Sequence, residues 1–175
     1  SVSGGVYSQA GASSGPKSLV GSTGWTDVTL DTDIRLDTTG QAGVLLRTRA
    51  PAVGADAHAG YYVGVETNGT IFIGKQNNNW TSLALQNVTG GVSAGTWYHL
   101  TASIVGCTIT ATIKPDNGTA STTATATDAG CFASGQAGVR THLSSASFRN
   151  LQVTQAGAST AASYADSWAS GASTG

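Results

Sequence analysis

The chain has few charged residues and no concentration of charge of one sign. Asp, Glu, Lys and Arg make up 10% of its 175 residues, and the formal net charge is −1. Because the cationic residues are scattered from Lys17 to Arg149, the clustered Lys and Arg of a nucleic-acid-binding surface are missing. No apolar run approaches the ~18–20 residues that a membrane-spanning helix needs. We therefore expect neither nucleic acid nor a membrane as partner.

Methionine is absent, and cysteine occurs only at Cys107 and Cys131. Two cysteines without a nearby histidine make an incomplete zinc site, so the pair predicts one disulfide. Abundant Gly, Ala, Ser and Thr are typical of secreted β proteins, and a start at Ser1 rather than Met predicts a processed product. We expect secretion, with glycosylation at four N-x-S/T sequons, namely Asn68, Asn79, Asn87 and Asn117.

Helical periodicity is nearly absent, and an alternation of apolar and polar residues replaces it. In "TDVTLDTDIRL" the residues Val28, Leu30 and Ile34 share one face, while the aspartates face or flank the other. Asn68-Gly69 and Asn117-Gly118 predict hairpin turns, because both residue types tolerate positive φ. About ten short strands predict an all-β domain over residues 1–155, a β-sandwich of two antiparallel sheets. The strands are expected at 26–36, 42–49, 60–67, 69–75, 80–85, 96–106, 108–114, 121–128, 137–142 and 147–154.

The last segment, residues 156–175, has a different composition. It is rich in Ala, Ser and Gly, which is typical of a linker, yet Tyr164 and Trp168 lie at i, i+4 spacing. Two interpretations stay open: a disordered C-terminal tail, or a short helix that packs both rings on the sandwich.

Strand alternation predicts a polar cluster on one sheet face. If Val44, Val63 and Val139 face the core, neighbouring residues on the same strands point outward. Guanidinium and carboxylate groups make paired hydrogen bonds with sugar hydroxyls, and a tyrosine offers a ring face. The alternative is a solvated face with ordinary cross-strand ion pairs. The outward residues are Arg47, Arg49, Tyr62, Glu66, Arg140 and His142.

The loops beside these strands offer a second set of candidates. Asp56 and His58 precede the tyrosines, and Lys75 is followed by the amide-rich segment that ends at Trp80. Amides and an indole suit sugar recognition, but the asparagines are equally consistent with a simple turn, with Trp80 in the core. Trp25 and Trp97 open strands and are expected in the core.

The sequence lacks the usual hydrolase constellations. A two-carboxylate glycosidase needs an acid and a nucleophile or base ~5–10 Å apart, and Glu66 is the lone glutamate. The nucleophile motif G-x-S-x-G is also missing. A jelly-roll polysaccharide lyase stays open as an alternative, since Arg47, Tyr62, Gln136 and His142 are of the required types.

Several motifs together resemble the concanavalin-like (laminin G-like) jelly rolls attached to glycoside hydrolases. They are "GWTDVTL" near the start, "GYYVG" in the middle, then "GTWYHLTASIVG", and "GQAGVRTH" with "SFRNLQV" at the end. Levan-binding-type carbohydrate-binding modules and the lectin domain of galactocerebrosidase-type enzymes are the similar groups, over residues 5–154. The resemblance implies a non-catalytic domain that binds carbohydrate, with a catalytic glycoside hydrolase domain as a partner in the same chain.

The resemblance also implies a structural Ca²⁺, held partly by an Asp in a final "F-D-N" strand. This chain has Phe148-Arg149-Asn150 there, so we expect Arg149 to neutralise Asp31 or Asp33 without a metal. Loop carbonyls and other aspartates remain an alternative source of a Ca²⁺ site. The sequence thus predicts a carbohydrate-binding module without catalytic residues, and its alternatives are the lyase and an extracellular adhesion or structural domain. The expected ligand-binding residues are Arg47, Tyr62, Glu66, Arg140 and His142, with Asp56, His58 and Lys75 as loop partners.

Overall fold

The computed structural model describes residues 1–11 and 15–155, together with the backbone of residues 163–166. Fourteen strands lie in this part of the chain, and the longest ones match the predicted segments to within a few residues. They are β1 (Val2–Ser3), β2 (Val6–Gln9), β3 (Lys17–Val20), β4 (Val28–Leu36), β5 (Gln41–Arg49), β6 (Ala59–Glu66), β7 (Thr70–Asn77), β8 (Trp80–Asn87), β9 (Trp97–Val105), β10 (Thr108–Pro115), β11 (Thr122–Thr127), β12 (Gln136–His142), β13 (Ala146–Gln155) and β14 (Ser163–Asp166).

The strands form two antiparallel sheets that pack face to face. One sheet has eight strands in the order β1-β2-β13-β4-β9-β10-β11, with β14 beside β13, and the other has six in the order β3-β12-β5-β6-β7-β8. The predicted all-β sandwich, a jelly roll, is therefore confirmed.

The core fills the space between the two sheets. On β4 the alternating residues Val28, Leu30 and Ile34 are buried, as the sequence predicts. They belong to the same hydrophobic core as Val63 of β6 and Ile73 of β7, on the facing sheet. The period-two pattern thus identified the inner faces correctly, because burial of one face forces the apolar residues onto it.

Residues 163–166 of the C-terminal segment form a strand. β14 pairs with β13 from Leu151 to Thr154, whereas β2 pairs with β13 only from Ala146 to Phe148. The second half of β13 would otherwise leave its backbone groups unpaired along this edge. At Tyr164 the structure therefore has a strand in place of the helical turn, and Trp168 lies outside the described residues.

The cysteine prediction is confirmed, since Cys107 and Cys131 form a disulfide with Cα atoms 5.5 Å apart. The Asn68-Gly69 turn links β6 to β7, although only Gly69 has a positive φ, of 94°. In the described part of the chain, no helix has the length and apolar character needed to cross a bilayer.

Candidate functional site

The outer face of the six-stranded sheet carries a polar recess. Strand register places His142 beside Gln41 and Gln41 beside Glu66, in one row across three strands. This row borders a cavity of about 180 Å³. Its lining is Gln41, Asp56, Gln76, Trp80, Arg140 and His142, which we call the polar pocket.

Two paired glycines leave this part of the face without side chains. Gly43 lies between Arg140 on β12 and Gly64 on β6 in the strand register. A Cβ on Gly43 would lie 2.1 Å from the Val63 carbonyl oxygen, so even alanine would force the strands apart. Both glycines are buried, so they let β5 and β6 pack closely beside Arg140.

The loop between β5 and β6, residues 50–58, folds over the same face. Its backbone carbonyls and Asp56 accept hydrogen bonds from side chains of β3, β7 and β12, which tie the loop to three strands. The bonds run from Lys17 Nζ to the Ala52 and Gly54 carbonyls at 3.0 Å each, from Arg140 Nη2 to the Ala55 carbonyl at 2.7 Å, and from Gln76 Nε2 to Asp56 Oδ1 at 2.5 Å.

A small apolar cluster supports the pocket. Tyr62 packs with Leu45 and Phe72, and the Arg140 guanidinium lies 4.3 Å from the centre of the Tyr62 ring. Tyr62 points outward as predicted, but it is fully buried beneath these neighbours. Burial raises its pKa far above the usual value for a tyrosine. Arg140 and Trp80 cover the ring, so Tyr62 does not present the exposed ring face that the alternation predicts.

Polar atoms without hydrogen-bond partners are concentrated around this pocket. Among the described residues, seven buried side-chain nitrogen or oxygen atoms are unpaired, and five belong to four residues of this region. They are both ring nitrogens of His58, Gln76 Oε1, Arg140 Nε and His142 Nδ1. Hydrogen bonding from Gln76 nevertheless acts to raise the pKa of His58, so these two side chains compensate each other in part. Unpaired buried polar atoms cost ~1–3 kcal/mol each, so their accumulation at one place indicates a site that a ligand or ordered water completes.

Both histidines near the pocket are neutral at neutral pH. Burial, followed by the nearby charges of Arg140 and Lys17, lowers the pKa of His58 to about 4. Burial and Arg140 also lower the pKa of His142. A neutral imidazole can donate one hydrogen bond and accept another, which suits a ligand hydroxyl.

Arg47 lies away from the pocket, contrary to the prediction. The register of β5 and β6 shifts between Leu46 and Arg49, and Arg47 adopts a φ of 49°. This bulge turns Arg47 inward, where it is 2% exposed and contacts the Thr26 carbonyl, the Phe132 carbonyl and Asp27. Arg47 therefore joins the two sheets, whereas Arg49 remains exposed.

Lys75 is also misplaced by the prediction. It lies on the inner side of β7 with Ile71 and Ile73, at the end of the sandwich that holds the disulfide. Its Nζ is 2.7 Å from both Asp128 Oδ2 and the Gly130 carbonyl. The lysine therefore secures the segment before Cys131.

Of the eight predicted ligand-binding residues, Asp56, Arg140 and His142 line the pocket, Glu66 and His58 adjoin it, and Arg47, Lys75 and Tyr62 do not reach it.

Three pocket residues were missing from the expected ligand-binding set: Gln41, Gln76 and Trp80. Gln41 shares the outward face of β5 with Gly43 and Leu45, so the alternation used for this strand would have found it. Trp80 is 39% exposed and lies across Gly74, whose Cβ would come within 1.9 Å of the indole. Gly74, two residues before Gln76, was the signal in the sequence for this contact, because a glycine leaves room for the indole.

The outer face of the eight-stranded sheet has a different arrangement. Asp33 contacts Arg149 Nε at 3.0 Å, His99 Nδ1 at 2.9 Å and Asn150 Nδ2 at 2.8 Å, which confirms that Arg149 neutralises Asp33. Burial acts to raise the pKa of Asp33, but these hydrogen bonds lower it below the usual value.

Trp97 lies on this outer face beside Arg149, not in the core as predicted, because Tyr98 takes the inward position. No group of three or more His, Cys, Asp or Glu side chains suited to a metal forms within residues 1–11 and 15–155.

Comparisons with known proteins agree with this fold. The family model described as "3-keto-alpha-glucoside-1,2-lyase-like domain" matches residues 1–154. A carbohydrate-binding module, CBM66, from Bacillus subtilis superposes with a TM-score of 0.56 at 21% identity, covering 72% of this chain and 73% of that one. The CBM2 module of the evolved Dit of Lactobacillus casei BL23 phage J-1 gives 0.52 at 10% identity, with coverages of 94% and 78%. The enzymatically active domain of tailspike protein 2 of bacteriophage CBA120 gives 0.53 at 9% identity, with coverages of 79% and 24%. No curated protein matches the sequence.

Proposed function

The chain belongs to the family of 3-keto-alpha-glucoside-1,2-lyase-like domains, and from this premise we propose that it binds carbohydrate in the polar pocket. The observation that carries the proposal is the polar lining of the recess, beneath which several buried side-chain atoms lack hydrogen-bond partners. The Gln41 amide can donate or accept, the Asp56 carboxylate is an acceptor, and the neutral His142 ring can be either. Adjacent hydroxyl groups of one sugar ring supply both donors and acceptors at matching spacing.

The aromatic residue of the pocket supports the same ligand class. Trp80 presents part of its indole to solvent, and its ring is held edge-on by Tyr62 and Phe72, with centres 6.2 and 5.8 Å away. A fixed indole beside polar groups can receive the apolar face of a sugar ring. The names of two similar structures, both carbohydrate-binding modules, support the proposal at the level of the shared fold.

The carbohydrate is expected to bind with modest affinity. Sugar hydroxyls exchange hydrogen bonds with water for hydrogen bonds with protein, and little apolar area is buried, so the Kd should be micromolar to millimolar. Arg140 is already compensated by Asp56, with 3.4 Å between Nη2 and Oδ1. The pocket therefore offers no free cation to a charged sugar, and we propose a neutral sugar unit.

A retention screen on immobilised polysaccharides and glycans tests the proposal. The variant Gln41→Ala with His142→Ala changes two partly buried pocket residues, and Thr112→Ala with Thr123→Ala is the matched control on the opposite sheet. We expect one class of glycan to retain the native protein and the control but not the pocket variant, with equal melting temperatures. Retention that survives the pocket variant, or no retention by any glycan, would overturn the proposal.

A catalytic role as a lyase is the second candidate, and the family match over residues 1–154 favours it. An elimination needs a base, and the pocket lining holds two groups able to accept a proton, the neutral His142 ring and the Asp56 carboxylate. New ultraviolet absorbance from an unsaturated product, lost in His142→Ala, would support catalysis. Retention without any such absorbance would support binding alone.

Secretion and glycosylation stay predictions that accompany this proposal. All four sequon asparagines are exposed, so their side chains are accessible to modification. Attachment to a glycoside hydrolase domain and an adhesion role are likewise untested. Mass spectrometry of the protein from its native source would test for glycans at Asn68, Asn79, Asn87 and Asn117.

A further inference from the structure

A larger and mainly apolar groove lies on the same outer face as the polar pocket. Its volume is about 720 Å³, and it is lined by Pro16, Lys17 and Leu19 on the β3 side and by residues 51–54 on the loop side. The charge of Lys17 is directed to the Ala52 and Gly54 carbonyls, both at 3.0 Å. The groove therefore offers apolar surface with no uncommitted ionic group.

The groove and the polar pocket adjoin each other along the β5–β6 loop. Gly54 lines the groove and Asp56 lines the pocket, and two residues of chain span at most ~7 Å. Lys17 and Arg140 are paired in the register of β3 and β12, so these lining residues lie on strands ~4.8 Å apart. A ligand a little longer than one sugar ring would reach from one to the other.

The apolar side of the groove includes a side chain that contributes nothing to the core. Val53 is 103% exposed at the loop tip, next to Pro51 and Ala52, which are also exposed. An isolated exposed valine needs no explanation, but an apolar tip that borders a groove beside a polar pocket forms a contiguous apolar surface. This surface suits an apolar group, and its position beside the polar pocket would let one ligand reach both.

We propose that the groove receives the apolar aglycone of a glycoside whose sugar occupies the polar pocket. This inference rests on the proposed function, because the pocket supplies the sugar half of the recognition. The ligand class is then an amphiphilic glycoside, with an alkyl or aryl group that passes over Ala55 and Asp56. The loop separates the two parts of the ligand and contacts both.

Titration with matched glycosides tests the groove. The probes are methyl and octyl α-D-glucopyranoside, chosen because the family description names α-glucosides. Each buried methylene contributes ~0.8 kcal/mol, a factor of about four, so partial burial of the octyl chain should strengthen binding at least about tenfold. Equal affinities for the two glucosides would overturn the inference and leave the proposed function standing. No binding of either glucoside, together with no retention by any glycan, would overturn the proposed function and this inference with it.

Two exposed valines provide the matched variants. Val53→Asp places a charge at the groove, whereas Val105→Asp places one at the end of β9, at a position 57% exposed on the other sheet. We expect Val53→Asp to abolish the advantage of the octyl glucoside and Val105→Asp to preserve it. A neutral apolar fluorophore, N-phenyl-1-naphthylamine, gives a readout that is independent of the sugar. Its binding should weaken about tenfold in Val53→Asp only, and unchanged binding in that variant would overturn the inference.

Discussion

The outer faces of the two sheets both carry charged residues, but they accommodate the charges differently. On the eight-stranded sheet, Arg149 is about one-third exposed and contacts both Asp33 and Asp116. On the six-stranded sheet, Arg140 is almost fully buried under a loop and keeps an unpaired Nε. The charges on the eight-stranded sheet are paired with one another. On the six-stranded sheet, Arg140 keeps one hydrogen-bond donor unpaired, and this costs stability. Incomplete hydrogen bonding of the charged residues, and not the presence of charge, therefore distinguishes the candidate site from the opposite face.

The largest expected difference between the faces comes from their arginines. Arg140→Met keeps an apolar stem but removes the hydrogen bond to the Ala55 carbonyl and the charge that faces Asp56, so we expect a loss of about 2 kcal/mol in the free energy of unfolding. Arg149→Met leaves Asp33 its hydrogen bonds with His99 and Asn150, so it should cost about 1 kcal/mol or less. Denaturant unfolding of both variants measures these values. Equal losses would show that the two faces do not differ in this respect.

The second difference is a dependence of stability on pH. His58 has a folded-state pKa of about 4, below the ordinary value of 6.5, so only the unfolded chain gains this proton as the pH falls from 6.5 towards 4. The contribution of neutral His58 is fully present above pH 6.5, and about 2 kcal/mol of it should be lost by pH 5. Urea unfolding of the native protein and of His58→Phe at pH 7 and pH 5 measures the loss.

The acidic groups set the lower limit of that experiment. The pKa of Asp33 and that of Asp128 are both lowered in the fold, the latter by Lys75 and Tyr61 against the effect of burial. Their stabilising contributions are lost only as the pH falls through still lower values, so pH 5 isolates the histidines. The same pH slope in His58→Phe would contradict the assignment to His58.

The smallest expected effect concerns the position of Trp80. A methyl group at Gly74 would lie 1.9 Å from the indole, so Gly74→Ala should displace the ring at a cost of about 1 kcal/mol. We expect a red shift of tryptophan emission and a loss of glycan retention. Gly24→Ala is the control, because its nearest neighbour, Ser22 Oγ, is 3.5 Å from the added carbon. Unchanged retention in Gly74→Ala would remove Trp80 from the site.

Strand alternation predicted much of the fold and part of the candidate site. It placed Arg140 and His142 on the outer face, because β12 pairs with β5 in an unshifted register from Gly138 to His142. It misplaced Arg47, because a bulge in β5 reverses the alternation of inward and outward residues. No residue nearby in the sequence indicates that bulge. It also could not tell that Tyr62 is covered, since Arg140 and Trp80, which lie on other strands, shield its ring.

The sequence by itself determined the two-sheet sandwich, the inner faces and the disulfide, because period-two burial and a single cysteine pair are local or compositional constraints. Only the tertiary structure decided which polar residues meet. Gln41 and His142 are about a hundred positions apart and become neighbours through strand register, while the loop over Arg140 is held by bonds to three strands. The polar pocket and the adjoining groove depend on that long-range register, which no segment of the sequence encodes alone.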